Sequence, residues 1–289
     1  MHGWIIIDKP VGPGSTQVVS AVKRALRGGG YPKVKVGHGG TLDPLASGVL
    51  PVALGEATKL SGRMLDADKI YEFTIGFGTQ TDTLDAEGVA VATSDVRPSP
   101  DEIDAVLPRF TGPIEQMPPA YSALKVDGRR AYDLARAGEE VVLQPRRVTI
   151  HSLVRSGDAT FTARVSKGTY IRSLARDIAL AAGSVGHVTM LRRTKAGPFT
   201  LESAISLDKL AEMAKGRSLE LLLLPLTAGL DDIPALSVSP DQARALRQGR
   251  TLIGTAATSG LHLAMDGEIP VALVQSEGPE VRVVRGFNL

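Results

Sequence analysis

Residues 36–51 read VGHGGTLDPLASGVLP and contain a single acidic side chain, that of Asp43. The glycines before Asp43 allow positive φ angles and a close approach of the backbone to a ligand. Pro44 disfavours the helical conformation for the residue before it and has no N–H group of its own. The stretch therefore predicts a lone carboxylate on a stiff loop, anchored by the apolar run that follows at residues 49–54.

The same residues also fit the start of a helix. Aspartate is a favoured N-cap and proline is favoured at the first helical position, so Asp43 and Pro44 suit these two places as well. Local sequence leaves both interpretations open: Asp43 either caps a helix or carries a chemical function.

The composition indicates one large domain and one small domain without cysteine chemistry. A chain of 289 residues can bury a substantial core. Cysteine is absent, which excludes disulfides, thiolate catalysis and cysteine-based zinc sites, and the five histidines are not paired at metal-ligand spacing. The apolar runs at residues 4–7 and 219–230 are too short or too interrupted for a signal peptide or a membrane span. We therefore expect a soluble, cytoplasmic protein that needs neither a membrane nor a metal or other cofactor.

Charge is unevenly distributed along the chain, whose formal net charge is only +2. Residues 1–42 carry six Lys or Arg against one acid, and residues 159–199 carry seven against one. By contrast, residues 82–104 carry seven acids against one Arg. Two basic regions that converge in space form a phosphate-binding surface, although solvated helix faces are the commoner origin of such runs. We expect the two basic regions to converge around the mouth of a cleft that contains Asp43.

Periodicity and capping signals predict alternating strands and helices. The clearest strand begins at residue 68, where Tyr71, Phe73, Ile75 and Phe77 alternate onto one face. The clearest helix start is at residues 99–102, a capping box with proline at the first helical position. The other predicted strands lie at 4–8 and 160–166, and a hairpin turn is predicted at 266–267. Ser15 or Thr16 is predicted to cap a helix that ends at the glycines at 28–30, Ser206 is predicted to cap another, and Ser239-Pro240 is predicted to start a third. A helix is also predicted in the segment that follows residue 170.

Five short motifs follow one another along the chain. They are Lys9-Pro10-x-Gly12, GHGGTLDPLASGVLP at 37–51, TQTDTLDAEG at 79–88, KGTYIRSLARD at 167–177 and MLRRT at 190–194. In this order they resemble the signatures of the TruB family of tRNA pseudouridine synthases. Pro13-Gly14 departs from the Met-Thr or Met-Ser that the family has at this point, which affects only the local turn. The resemblance extends over nearly the whole chain.

The resemblance implies an α+β fold with a mixed, mainly antiparallel sheet flanked by helices. It places a catalytic pseudouridine synthase domain at residues 1–228, with a mobile thumb-like insertion that closes on RNA at about residues 113–145. A small PUA-like RNA-binding β-barrel would follow at residues 229–289. From residue 229 onward the sequence pattern predicts mainly short strands and turns, which agrees with a separate module.

The implied activity is isomerisation of the uridine at position 55 in the T loop of tRNA to pseudouridine, by a monomer without an obligate protein partner or a cofactor. Asp43 would be the catalytic carboxylate, and Arg172 would pair with it. The residues that would bind the substrate around it are His38, Tyr71, Tyr170, Arg172 and Leu191. The basic residues that would contact phosphates are Lys9, Lys125, Arg129, Arg130, Arg192 and Arg193. A structural role suits Lys9 equally well.

The implied chemistry needs only one carboxylate, because uracil N1 leaves as a delocalised anion whereas a glycosidase must usually protonate a poor leaving oxygen. Three routes remain open: an ester of Asp43 at C1′, addition at C6, or a glycal formed by removal of a 2′ proton. Asp82 and Asp85 are predicted to form turns, since Asp side chains accept hydrogen bonds from loop N–H groups. Two functional alternatives are a pseudouridine synthase that acts on another RNA and a non-catalytic tRNA-binding or tRNA-folding protein.

Overall fold

A ten-stranded mixed sheet forms the centre of the computed structural model, which describes residues 1–126, 128–139, 141–255 and 257–289. The strands up to residue 225 are β1 Gly3–Lys9, β2 Val36–His38, β3 Ser47–Leu54, β4 Lys69–Phe77, β5 Thr79–Thr81, β6 Ala90–Thr93, β7 Gly112–Gln116, β8 Lys125–Val126, β9 Arg129–Arg130, β10 Arg146–Arg155, β11 Thr160–Val165, β12 Gly186–Ala196, β13 Phe199–Thr200 and β14 Leu224–Pro225. The α-helices of this part are α1 Ser15–Gly28, α2 Ser61–Asp66, α3 Pro100–Val106, α4 Ala131–Arg136, α5 Ile171–Ala181 and α6 Leu207–Lys215.

The sheet has the order β14-β1-β3-β12-β4-β11-β10-β7, with β2 added to β3 and β13 added to β12. Its neighbouring strands are antiparallel except β3 and β12, which run parallel to each other. The hairpins β5-β6 and β8-β9 lie outside this sheet. The predicted α+β class with a mainly antiparallel sheet is confirmed.

Local signals place several helices correctly. The Ser99 hydroxyl and the Glu102 side chain form the predicted capping box of α3, and the Ser206 hydroxyl accepts the N–H of Lys209 at the start of α6. The first helix differs from its prediction, because Gly14 occupies the N-cap of α1. The Ser15 hydroxyl is instead hydrogen-bonded to both the N–H and the carbonyl of Leu42. A side chain that was predicted to cap a helix thus holds the loop that carries Asp43.

Apolar side chains cover both faces of the sheet. On one face, α1, α5 and α6 pack over a core in which Phe73 of β4 stacks on Phe161 of β11, with ring centroids 5.3 Å apart. On the other face, Trp4 of β1 packs against Phe199 and donates its indole N–H to the Leu226 carbonyl. The strands that carry the site are therefore fixed from both sides.

A second, five-stranded sheet follows residue 229, with the order β15-β17-β18-β19-β16. Its elements are β15 Ala235–Ser237, α7 Pro240–Arg247, β16 Leu252–Ile253, β17 Gly260–Asp266, β18 Ile269–Glu277 and β19 Glu280–Gly286. The hairpin predicted at Asp266 and Gly267 joins β17 to β18, and Ser239 caps α7 as predicted. This sheet has a core of its own, but Leu263, Leu273 and Phe287 also pack into the core around Trp4.

The segment expected to form the thumb begins later than residue 113. Residues 112–116 pair with β10 as β7 and belong to the main sheet. The β8-β9 hairpin and α4 follow between Gln116 and the start of β10, and a thumb role for this segment stays a prediction. Within the described ranges, no helix is long and apolar enough to cross a membrane.

Candidate active site

The loop between β2 and β3 holds Asp43 in a non-helical conformation. Residues 43–46 form a turn in which the Ala46 N–H bonds to the Asp43 carbonyl. The Pro44 carbonyl accepts the N–H of Gly12, which ties this turn to the Lys9-Pro10-x-Gly12 motif. The helix-cap interpretation of Asp43 is therefore wrong, and its carboxylate is free to serve the site.

A close contact between parallel strands sets the end of this loop. Gly48 of β3 has φ +104° and lies against the backbone of Arg193, where an added Cβ atom would come within 2.1 Å of the carbonyl oxygen. The Arg193 side chain is buried and reaches back under the loop, donating to the carbonyls of Gly40, Thr41 and Val49 at 3.1, 3.3 and 2.8 Å. Arg193 thus supports the Asp43 loop from beneath and does not present its guanidinium at the surface.

Lys9 has an equally structural position at the end of β1. Its side chain is fully buried, and its ammonium group donates to the carbonyls of Pro10, Pro13 and Pro44 at 2.9, 2.7 and 3.3 Å. These bonds join β1, the turn that follows it and the Asp43 loop. Of the two roles considered for Lys9, this geometry favours the structural one over a phosphate contact.

The burial of Lys9 predicts a pH-dependent contribution to stability. Desolvation lowers the pKa of its amino group from 10.5 to about 8, so between these values the unfolded chain holds a proton that the folded chain has lost. The free energy of unfolding should therefore rise with pH in this window relative to a Lys9→Met variant, by about 2–3 kcal/mol. Denaturant titrations of both proteins from pH 7 to 10 measure the difference. If the difference in the free energy of unfolding between the wild type and Lys9→Met does not change with pH, the lowered pKa of Lys9 is contradicted.

Arg172 on α5 connects the Asp43 loop to the 79–88 motif. One of its terminal nitrogens lies 2.9 Å from the Asp43 carboxylate and 3.0 Å from the Tyr121 carbonyl. The other lies 3.3 Å from the Asp85 carboxylate and 2.8 Å from the Thr83 carbonyl. The Arg172 and Asp85 side chains are only 6% and 4% exposed, whereas that of Asp43 is 39% exposed. A buried cation thus pairs with the accessible carboxylate of Asp43 and with the buried carboxylate of Asp85.

Asp43 opens into a cavity of about 310 Å³ between the sheet, α5 and residues 122–124. Tyr71, Tyr170 and Leu191, three of the residues expected to bind the substrate, line it. The Lys69 amino group lies in the wall and donates to the carbonyls of Leu65 and Ala67, and burial lowers its pKa to about 8. The cavity therefore combines aromatic and apolar walls with one accessible carboxylate.

His38 lies beside this cavity in β2 and is not part of its lining. Burial, and after it the positive charge of Arg193, lowers the pKa of the imidazole, which favours the neutral form. Its buried Nδ1 atom has no hydrogen-bond partner among the described residues. A contact between His38 and the extruded base stays a prediction.

The end of β7 and the residue that follows it are hydrogen-bonded to the start of α5. The Gln116 amide accepts the backbone N–H of Tyr170 at 2.8 Å and donates to the Tyr170 carbonyl at 3.1 Å. The Ser173 hydroxyl donates to the Met117 carbonyl at 2.8 Å. Residues 122–124 then form part of the cavity wall. The end of β7 thus fixes the backbone of Tyr170 beside the cavity.

Comparison with known proteins decides the family. The sequence model of the TruB family pseudouridylate synthase N-terminal domain matches residues 29–171, and that of the tRNA pseudouridylate synthase B C-terminal domain matches residues 172–231. The chain is 64% identical over its whole length to the tRNA pseudouridine synthase B of Zymomonas mobilis, of which it covers 96%. The chain belongs to the TruB family. The corresponding protein of Novosphingobium aromaticivorans is also 64% identical, and the chain covers 98% of it.

Solved structures agree with this TruB assignment. The fold superposes with a TM-score of 0.73 on a chain of an H/ACA ribonucleoprotein bound to a substrate RNA containing 2′-deoxyuridine. That chain is 28% identical, and the match covers 99% of the TruB chain and 85% of the other. An archaeal box H/ACA ribonucleoprotein gives the same TM-score and identity, with 86% of its chain covered. The pseudouridine synthase fold is therefore confirmed.

Sequence reasoning missed two residues of this TruB site. Asp85 was predicted to form a turn, and it does accept the Glu87 N–H and the Thr83 hydroxyl with one oxygen. Its other oxygen pairs with Arg172, a contact that local sequence cannot indicate. Gln116 gave no sequence signal, although a polar side chain at the end of an alternating strand is a reason to look for a tertiary contact.

The two basic regions of the chain do not contribute equally to the surface. In residues 159–199 the basic side chains are largely neutralised by acids: Arg164 by Asp68, Lys167 by Asp66, Arg172 by Asp43 and Asp85, Arg176 by Asp177, and Arg192 by Asp8. In residues 1–42, Lys9 is buried, but the other five cations are exposed. The expectation that both regions converge around the mouth of the cleft needs correction: most cations of residues 159–199 are paired, and none of the exposed cations of residues 1–42 lines the cavity.

Proposed function

We propose that this protein isomerises the uridine at position 55 of tRNA to pseudouridine, as a cytoplasmic monomer. One observation carries the proposal: an accessible Asp43 carboxylate is held 2.9 Å from the buried guanidinium of Arg172, at a cavity whose lining includes two tyrosines and several leucines. Membership of the TruB family and 64% identity to proteins named tRNA pseudouridine synthase B support the reaction and the substrate class.

The reaction rearranges bonds within one nucleotide. The bond from C1′ to N1 breaks, the uracil turns over, and C5 forms the new bond to C1′. C5 then loses its proton and N1 gains one, so atoms and electrons balance without an external oxidant or reductant. The ionised Asp43 carboxylate serves as the nucleophile at C1′ or C6, or as the base that takes the 2′ proton, and each of these roles needs the accessible position that it has.

In this proposal the cavity binds the target uracil after it has left the base stack of the tRNA. Extrusion of a nucleotide costs a few kcal/mol, which stacking and phosphate contacts offset. Tyr71 supplies the aromatic face, and Leu191 and Tyr170 complete the wall around the base. His38 stabilises the extruded loop at the edge of the cavity. The phenol of Tyr71 is our candidate for removal of the C5 proton.

Phosphate contacts in this proposal come from the thumb and from Arg192. Lys125 is exposed, Arg129 pairs with Glu139, and Arg130 donates to the Ala123 carbonyl. Arg192 is one-third exposed and pairs with Asp8 at 2.8 Å. Exposed ion pairs are weak. A tRNA phosphate can therefore replace Glu139 as the partner of Arg129, or Asp8 as the partner of Arg192, at little cost in free energy.

An assay of hydrogen release from C5 tests the proposal and separates an enzyme from a tRNA-binding protein. A tRNA transcript labelled with tritium at C5 of uridine releases one equivalent of label for each pseudouridine formed at a single site. We expect the purified protein to release one equivalent per tRNA under multiple turnover. Tight binding of the transcript without release of label would favour a non-catalytic binding or folding protein.

A further inference from the structure

A group of exposed cations lies away from the Asp43 cavity, on α1, the loop that follows it and the last turn of α6. We call it the α1–α6 basic surface; its members are Lys23, Arg24, Arg27, Lys33, Lys35 and Lys215. None of the six forms an ion pair with a residue that the structure describes, in contrast to the cations of residues 159–199. Two acids close to this region have other partners: Glu220 accepts a hydrogen bond from Tyr31, and Glu212 of α6 pairs with Lys209.

A groove connects this surface to the catalytic loop. Helices α1 and α6 lie side by side, and the groove along them begins at Gly12 and Pro13. It continues past Arg24 and ends at Lys215. Gly12 donates its N–H to Pro44, the residue after Asp43. The groove therefore starts at a turn that is hydrogen-bonded to the turn carrying Asp43.

The helix dipole does not explain the whole surface. Arg27 and Lys215 lie in the last turns of α1 and α6, where a cation is stabilised by the negative end of the helix. Lys33 and Lys35, however, lie in the segment between α1 and β2, outside any helix. Six unpaired positive charges on a protein with a net charge of +2 form a concentrated positive field.

We propose that the α1–α6 basic surface and its groove bind the phosphodiester backbone of the tRNA outside the target loop. The proposal rests on tRNA being the substrate. Phosphates complement unpaired Lys and Arg side chains, and the groove leads from the catalytic loop to these side chains. Arg24 is nine residues from Ser15, which bonds to Leu42, so it lies about 14 Å along α1 from the catalytic loop. A strand that leaves the cavity therefore reaches Arg24 and Lys215 within a few nucleotides.

The salt dependence of tRNA affinity tests this surface. The test variant is Arg24→Gln/Lys215→Gln, which neutralises one cation from each helix beside the groove. The control is Arg97→Gln/Arg109→Gln, which removes two exposed arginines that form no ion pair within the described chain; Arg97 lies within the acidic stretch 82–104 and Arg109 shortly after it. The dissociation constant for an unmodified tRNA transcript is measured from 50 to 200 mM salt, and turnover is measured on the same samples.

We expect the test variant to bind with a slope of log affinity against log salt that is flatter by about 1.4–1.8, since each lost phosphate contact removes 0.7–0.9. When salt is raised from 50 to 200 mM, the factor by which its tRNA affinity falls should be roughly ten-fold smaller than the factor for the wild type. Turnover at saturating tRNA should not change, because neither residue lines the Asp43 cavity. The control variant should keep the wild-type slope.

Equal slopes for the wild type, the test variant and the control would overturn the assignment of this surface to RNA. A test variant that keeps the wild-type slope for tRNA but no longer binds phosphatidylserine vesicles would assign the surface to an anionic membrane instead, which also overturns it. A flatter slope in a protein that leaves uridine unmodified would support the surface and contradict the proposed function.

Discussion

Replacement of Asp43 by asparagine is expected to lower turnover by more than about a thousand-fold while changing tRNA affinity by only a few-fold. Asparagine has the same shape but carries no negative charge, so it can neither attack carbon nor take a proton. Binding should survive, because the Asp43 loop is held by Ser15, Lys9 and Arg193 through bonds that do not involve the Asp43 carboxylate. The loss should therefore appear in kcat and not in the dissociation constant.

The matched control for Asp43→Asn is Asp66→Asn. Asp66 is the last residue of α2, one position after the cavity residue Leu65, and its exposed carboxylate pairs with Lys167. Since exposed pairs contribute little, this variant should retain turnover within a few-fold of the wild type. Residual turnover of Asp43→Asn within ten-fold of the wild type would remove Asp43 from the chemistry.

Replacement of Arg172 is expected to have the second-largest effect. Arg172→Leu leaves Asp85 buried without a counter-charge and leaves the carbonyls of Thr83 and Tyr121 without their donor. Breaking a buried pair in this way should lower the free energy of unfolding by about 3–5 kcal/mol and abolish activity. Because loss of fold alone would also abolish activity, this variant needs a more conservative companion.

Arg172→Lys keeps the positive charge but cannot span two carboxylates and two carbonyls, since lysine presents a single ammonium group where arginine presents a planar fork. We expect a stably folded protein whose kcat is about a hundred-fold lower and whose KM is little changed. Arg176→Lys on the same helix is the control, because Arg176 pairs with Asp177 and does not contact Asp43. A kcat for Arg172→Lys within a few-fold of the wild type would contradict the proposed role of the bridge.

Elements with local signals were predictable from the sequence. The Ser99–Glu102 capping box, the Ser206 cap and the Asp266-Gly267 hairpin depend on side chains within four residues of one another, and all three are found as predicted. The alternation along β4 also correctly placed Phe73 and Ile75 in the core. In these cases the competing conformations lack a comparable local hydrogen bond or a comparable apolar face.

Features that depend on distant partners were not predictable in the same way. Local preference favoured a helix at Asp43, but tertiary bonds from Ser15, Lys9 and Arg193 hold a non-helical loop. Asp85 does form its predicted turn, and its contact with Arg172, 87 residues away, emerges only when β12 and α5 are in place. Family resemblance supplied the pairing of Arg172 with Asp43, which the residues themselves did not indicate.

Charge counts show the same limit. The sequence gives the number of cations in residues 1–42 and 159–199 but not their partners. In the fold, Arg192 meets Asp8 and Arg193 turns inward to backbone carbonyls, whereas Arg24 and Lys33 remain exposed. Which run forms a surface for phosphates is therefore decided by tertiary pairing and not by density along the chain.

Position-resolved mapping of pseudouridine tests the central claim most directly. An unmodified tRNA transcript and a set of ribosomal RNA fragments are incubated together with the wild-type protein, and each uridine is then scored for conversion. We predict one pseudouridine per tRNA, at position 55, with none in the ribosomal fragments and none anywhere with Asp43→Asn. Conversion at another position or in another RNA, or equal conversion by Asp43→Asn, would contradict the account.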